Sequence, residues 1–199
     1  MKKSIFIIIV ILFIAAAVQA AEPYGGKRNY MTFSLGGYWP GEDPDDEGYS
    51  SGADFNFSYL RSIQDWFGFG AGTHTYGSQS KHTTGDIGDA YFGSLGIEMM
   101  FYVQPNHWQI QPYFGIGPVL YYNFLEYETD SDQDHLDESG VGLGLAAKVG
   151  LRVFLTQRFF GGMSLKGFSN YWSLDIDANR DETYDFGGGV LAFELGFTF

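Results

Sequence analysis

In eight segments between residues 29 and 199, apolar and polar positions alternate along this chain. In 29–39, Met31, Phe33, Leu35 and Trp39 interleave with Tyr30, Thr32, Ser34 and Gly36. In 51–61, Ala53, Phe55, Phe57 and Tyr59 interleave with Asp54, Asn56 and Ser58. The same period runs through 66–76, 89–103, 109–124, 141–156, 159–169 and 186–199. A period of two is that of a strand whose successive side chains point to opposite faces. Eight strands are predicted, each about 10 residues or longer, and a tilted transmembrane strand needs about 9–11. Short connections near 61–65, 104–108 and 156–158 alternate with long ones near 40–50, 77–88, 125–139 and 171–185. That alternation predicts an all-β fold, an eight-stranded antiparallel up-and-down transmembrane barrel. Pro112 and Pro118 interrupt the fifth segment and predict a bulge or local break, because proline cannot donate to a ladder.

Volume decides which face looks outward. An eight-stranded barrel is just wide enough inside for side chains to fill it. One register carries Phe, Leu, Met, Ile and Tyr on nearly every strand, too much to enclose. The other is rich in Gly, Ala and Ser, which fits. The bulky register therefore faces lipid. Charge placement agrees. Glu42, Asp43, Asp45, Asp46 and Glu47 lie in the first long connection, with Asp86 and Asp89 at the second. Glu126, Glu128, Asp130, Asp132, Asp134, Asp137 and Glu138 lie in the third, and Asp175, Asp177, Asp181, Glu182 and Asp185 in the fourth. No acidic residue falls on the bulky register within a strand, where a charge would cost up to a few kcal/mol.

The stretch VGLGLAAKVGLRVFLT, residues 141–156, sets two cations among glycines on its inward register. Lys148 and Arg152 should point into the lumen, as should Lys166 and the acids Asp54, Glu98 and Glu194. Three positive and three negative charges balance, and buried charges are tolerated when paired. The set predicts an internal ion-pair network that plugs the barrel. Separately hydrated groups in a wet lumen, or a gate in a narrow pore, are the competing readings. Phe92, Met100, Phe154 and Phe160 also face inward, which keeps open a carrier of small apolar solutes.

Composition narrows the classes further. The 28 glycines and 19% aromatic residues suit twisted strands. The formal charge of −13 excludes a basic nucleic-acid footprint. Without cysteine there is no disulfide framework and no thiolate chemistry. The N-terminus reads MKKSIFIIIVILFIAAAVQA: two lysines, an apolar run from Ile5 to Val18, and small residues at Val18 and Ala20. This predicts a secretory signal peptide, residues 1–20, ahead of one barrel domain, residues 21–199. A membrane-anchoring helix would need a longer run, about 20 apolar residues.

The ending LAFELGFTF alternates up to Phe199, and QPYFGIGP and KVGLRVFLTQRFFGG lie upstream. These resemble small OmpA/OmpX/OmpW-type barrels, the outer membrane protein beta-barrel domain group. The resemblance implies the bacterial outer membrane, with both mature termini in the periplasm and the long loops outside the cell. It implies outer-membrane lipids, lipopolysaccharide and the barrel assembly machinery as partners, the last reading Leu195, Phe197 and Phe199 as a C-terminal signal. It also implies interior clusters of Glu, Lys and Arg, and a structural or surface-interaction role.

Enzymes exist on this architecture, and lipid A deacylases place His and Ser two apart on one strand face. His74, His82, His107 and His135 are followed by no such serine, so no enzyme is expected. His74 faces the lumen as a filling or hydrogen-bonding residue. Asp175, Asp177, Asn179 and Asp181 alternate like the start of an EF-hand loop, a candidate weak Ca²⁺ or Mg²⁺ loop. Arg180 stands where glycine is needed and Phe186 where the bidentate Glu belongs, so a solvated acidic loop is the simpler reading. No cofactor is expected, nor zinc, since no His pair has ligand spacing. Tyr38, Trp39, Trp66, Trp108, Tyr121, Tyr122 and Tyr171, at strand ends, are read as interfacial girdles.

Overall fold

The computed structural model describes residues 28–41, 51–80, 87–106, 108–129, 136–177 and 180–199. The predicted signal peptide and most of the first acidic loop lie outside these residues. The strands are β1 (Asn29–Pro40), β2 (Gly52–Gln64), β3 (Phe67–Ser80), β4 (Ile87–Val103), β5 (Ile110–Thr129) and β6 (Leu136–Phe154). They continue as β7 (Phe159–Phe168), β8 (Tyr171–Asp177), β9 (Arg180–Asp185) and β10 (Gly188–Thr198). Neighbours in sequence pair antiparallel from β1 to β7, β10 pairs with both β7 and β1, and the ring closes. The barrel wall therefore has eight strands. Backbone bonds between Asn29 and Phe199 in both directions join the start of β1 to the C-terminal residue at the short-turn rim.

The strands outrun the predicted segments at the long-loop rim. β3 reaches Ser80, β5 reaches Thr129, and β6 starts at Leu136. The span 171–185, read from sequence as a loop, is instead the hairpin β8–β9. Side-chain alternation stops where the chain leaves the apolar layer, but backbone pairing does not. In β5, β6 and the β8–β9 hairpin, acidic residues interrupt the apolar pattern and hid these strands.

The prolines of β5 give a break without a bulge. Pro112 pairs opposite Leu151 and Pro118 opposite Leu145 in an unbroken β5–β6 ladder. On the other side the ladder skips from Glu98↔Val119 to Phe101↔Ile116 with its register unchanged. A missing N–H removes a bond from one side only, and no extra residue is needed to accommodate it.

Burial follows the alternation. Leu35, Phe193 and Leu195 stand on the outer face, each about two-thirds exposed, while Thr32, Ser34, Asn56, Ser58 and Ser94 are buried in the lumen. The outer face is thus an apolar sleeve and the inner face a polar, tightly filled core, the reverse of a soluble barrel. Two residues assigned to the girdles belong inside: Tyr38 and Tyr121 are buried and point into the lumen. Each shares parity with the inward residues of its strand, so the alternation rule outranks position near a strand end. Trp39, Trp66, Trp108, Tyr122 and Tyr171 face outward and are exposed. Trp66 and Trp108 meet edge to face at the short-turn rim, their rings 5.7 Å apart.

Candidate functional site

The lumen is the place where the described side chains concentrate polar chemistry, and it is filled in three strata. At the short-turn end lies a floor of amides. The turn after β4 folds inward, so that Asn106 Oδ1 accepts from Gln104 Nε2 (2.8 Å), Ser62 Oγ (3.0 Å) and Tyr30 Oη (3.2 Å). Asn106 Nδ2 donates to the Gln64 carbonyl at 2.7 Å. Gln111 Nε2 donates to the carbonyls of Asn106 and Trp108, and Tyr30 Oη also donates to Gln111 Oε1. Phe154 and Phe160 pack on Tyr30 beside this network.

The middle stratum holds the charges. Glu194, from β10, receives Lys148 Nζ at 2.7 Å and the Tyr113 hydroxyl at 2.7 Å on one oxygen. Its other oxygen lies 3.6 Å from Arg152 Nε. The Arg152 guanidinium sits over the Tyr113 ring, 4.1 Å from its centroid, and donates to Gln104 Oε1 of the floor at 2.8 Å. Glu98, from β4, receives Lys166 Nζ at 2.6 Å and Asn56 Nδ2 at 2.8 Å. Lys148 and Lys166 stand directly opposite each other on β6 and β7. Two like charges at that spacing would repel. Each is drawn to a different carboxylate, reaching from β10 and from β4.

Asp54 is placed differently. Its carboxylate meets His74 Nε2, not one of the three cations. His74 Nδ1 lies 3.5 Å from the Tyr121 hydroxyl. Its ring stacks on Tyr76 and meets Phe168 edge on, which carries the charged layer into the third stratum. There Tyr38, Tyr76, Phe92, Tyr121, Phe168, Trp172 and Phe186 form a continuous set of ring contacts beneath the long-loop rim.

The glycines of β6 and β7 explain how full charges fit. Gly162 lies in register between Arg152 and Glu194, so nothing projects between the two. Gly150 faces Tyr113 across the β5–β6 ladder, and a Cβ there would lie 2.5 Å from the ring and hydroxyl of Tyr113. Gly150→Ala is therefore expected to push Tyr113 off Glu194 and destabilise the barrel by about 1–3 kcal/mol, the usual range for overpacking. Urea unfolding in lipid vesicles checks this. An unchanged midpoint would mean that Tyr113 has room to move.

All six charges expected in the lumen are buried there: Asp54, Glu98, Lys148, Arg152, Lys166 and Glu194. Sequence reasoning missed the pairing of Asp54 with His74 and the amide floor. Parity placed Asn56, Gln111 and Asn123 inside, but an inward-folding turn such as 104–106 leaves no periodic signal. Of the C-terminal residues, Leu195 and Phe199 are exposed on the outer face, and the Phe197 ring packs at a tilt against those of Phe199 and Phe159. Asp175 and Asp177 fall on β8 and Asp181 on β9, with Asp175 in register opposite Asp181. Asn179, His82, His107 and His135 lie outside the described residues. Among the described residues no group of three or more His, Cys, Asp or Glu side chains is placed to hold a metal ion.

The fold is shared with solved barrels. Neisserial surface protein A aligns with a TM-score of 0.58 at 13% identity, covering 88% of this chain and 100% of that one. OprG from Pseudomonas aeruginosa aligns with a TM-score of 0.57 at 13% identity, covering 91% and 99%. Ail, the attachment invasion locus protein of Yersinia pestis, aligns with a TM-score of 0.53 at 16% identity, covering 87% and 99%. No curated protein matches by sequence. The family model of the outer membrane protein beta-barrel domain matches residues 6–199. With its lipid-facing sleeve and closed eight-stranded wall, this chain belongs to that family and is a barrel of the bacterial outer membrane.

Proposed function

We propose that the barrel is a plugged membrane anchor whose extracellular rim, not its lumen, interacts with partners. One observation carries the reading: the lumen charges are paired inside a layer with amides below and rings above. Among the described residues Glu194 is paired with Lys148 and Glu98 with Lys166, which works against a strip of one sign along which an ion could pass. The long loops then do the work. Their sequence is acidic, so a partner carrying positive charge fits the rim by electrostatic complementarity. Ail is solved in complex with a heparin analogue, sucrose octasulfate. A polyanion of that kind would be repelled by the acidic loops of this chain. Outer-membrane lipids and lipopolysaccharide surround the sleeve in this reading, and the barrel assembly machinery reads Leu195, Phe197 and Phe199.

Planar-bilayer conductance of the refolded protein tests it. The native barrel is expected to be silent, and Lys148→Ala or Glu194→Ala to show openings where the plug is breached. Steady conductance in the native protein would replace this reading with a narrow pore. Selective passage of apolar solutes through it would favour the carrier that inward-facing Phe92, Met100, Phe154 and Phe160 allow.

A further inference from the structure

Charge outside the lumen is segregated between the two rims. Beyond the three cations of the charged stratum, the described cations are Arg28, Arg61 and Arg158 at the short-turn rim and Arg180 on β9 at the opposite one. The acids divide the other way. Of the described acidic side chains outside the lumen, Asp65 alone stands at the short-turn rim, and the rest lie on the strand extensions toward the long loops. Arg28 turns toward lumen-facing Phe154, its guanidinium 5.9 Å from the ring centroid. Arg61 and Arg158 are exposed, and neither forms an ion pair with a described carboxylate. Along the rim Arg158 stands by Thr198, Phe199 bonds with Asn29, and Asn29 is in register with Arg61. The two arginines are therefore three strand spacings apart, about 14 Å.

Between these arginines the outer surface is a shelf of rings. Tyr59 lies two residues before Arg61 on the same face of β2, and Phe159 follows Arg158 directly. The Tyr59 ring meets that of Phe199 at 6.5 Å, Phe199 meets Phe197 at 5.9 Å, and Phe197 meets Phe159 at 6.3 Å. Phe159 and Phe199 are each more than half exposed. Polar bonds hold the shelf in place. The Tyr59 hydroxyl donates to Asn29 Oδ1 at 2.8 Å, and Asn29 Nδ2 donates to a main-chain oxygen of Phe199 at 3.1 Å. At the other end the Thr198 N–H donates to the Arg158 carbonyl at 2.7 Å. We propose that this surface binds an anionic phospholipid of the periplasmic leaflet, its chains against the rings and its phosphate at the guanidinium groups. The short-turn rim of such barrels faces the periplasm. Guanidinium matches phosphate in a bidentate fork, and basic residues beside a membrane surface attract anionic headgroups. A zwitterionic lipid would bring an ammonium to the same arginines and lose that attraction. The Phe199 carboxylate lies between the arginines, but Asn29 engages one of its oxygens twice, and it forms no ion pair with either. The site rests on the outer-membrane placement and not on the plugged lumen.

Native mass spectrometry of the refolded protein tests the site. The protein is released from detergent micelles doped with equal amounts of dioleoyl phosphatidylglycerol and dioleoyl phosphatidylcholine, which share their chains and differ in headgroup charge. The native barrel should retain phosphatidylglycerol in preference to phosphatidylcholine. Arg61→Gln and Arg158→Gln should each lower that preference about fivefold, the effect of one basic residue beside an anionic surface. The double variant should bring it close to parity. Both side chains are exposed, so the variants should fold as the native protein does. Arg180→Gln, at the opposite rim, should change nothing. Excess inorganic phosphate should leave the lipid bound, because the ring shelf holds what a free ion cannot replace. Equal retention of the two lipids by the native barrel overturns the proposal and reduces the arginines to general interfacial anchors. Undiminished preference in the double variant overturns it too, as does an equal loss in Arg180→Gln. Displacement by inorganic phosphate would overturn the assignment to a lipid.

Discussion

Replacing Glu194 with glutamine is expected to lower the unfolding free energy of the barrel by about 3–5 kcal/mol, because the change leaves buried charge without its partner. The shape is conserved and only the charge is lost. Lys148 then has no carboxylate within salt-bridge reach among the described residues. It also remains directly opposite Lys166, so the repulsion that Glu194 offset returns. Arg152 suffers less, since it keeps its bond to Gln104 and its place over the Tyr113 ring. Adding Lys148→Met to Glu194→Gln should recover most of the loss, because an apolar isostere removes the orphaned cation. Urea unfolding in phospholipid vesicles measures all three proteins. If the lumen were wet, the freed ammonium would be hydrated in place, and the cost would fall to the 0–1 kcal/mol of an exposed pair. The size of the effect therefore separates a packed plug from a water-filled interior. It does so without reference to conductance.

The wall of this barrel was readable from sequence because lipid enforces one rule at every outward position. Met31, Phe33 and Leu35 had to alternate with Thr32 and Ser34, and the parity that follows places Asp54, Glu98 and Glu194 in the lumen without further information. The same parity also places Tyr38 and Tyr121 inside, and reading them as girdle residues let position along the strand override it. Two kinds of feature lay beyond this rule. Partner choice inside the lumen is three-dimensional: which carboxylate meets which cation depends on barrel curvature and strand stagger, so the pairing of Asp54 with His74 could not be told from a pairing with Lys166. Structure beyond the lipid layer is the other. The hairpin β8–β9 carries acidic residues along both strands, and backbone pairing alone leaves no trace in hydropathy. The inward-folding turn at Gln104–Asn106 is of the same kind. Its amides are ordinary turn residues until the fold turns them toward Tyr30 and Arg152.

Arginine at position 97 should cost what the neighbouring charge at position 98 does not. Ile97 is exposed on the outer face of β4, well above the short-turn end of that strand, and Glu98 beside it is buried in the lumen. Ile97→Arg is expected to destabilise the barrel by about 2–4 kcal/mol, the cost of a cation near the bilayer midplane. Val103→Arg, on the same face of the same strand at the short-turn rim, should cost about 0–1 kcal/mol, because the side chain reaches headgroups and water. The carboxylate of Glu98 avoids this penalty although it is more deeply enclosed. Lys166 and Asn56 meet it at 2.6 and 2.8 Å, and fixed partners substitute for the water it has lost. One residue step along a strand thus exchanges a solvent that cannot answer a charge for a protein interior built to do so. Unfolding midpoints of the two arginine variants in vesicles read the contrast. Equal small costs at 97 and 103 would mean that this face is not in hydrocarbon and would invert the assignment of inside and outside. A large cost at 97 that fades toward 103 places β4 in the membrane with its sleeve outward, and makes the paired charges of the lumen the reason that this strand can carry a glutamate at all.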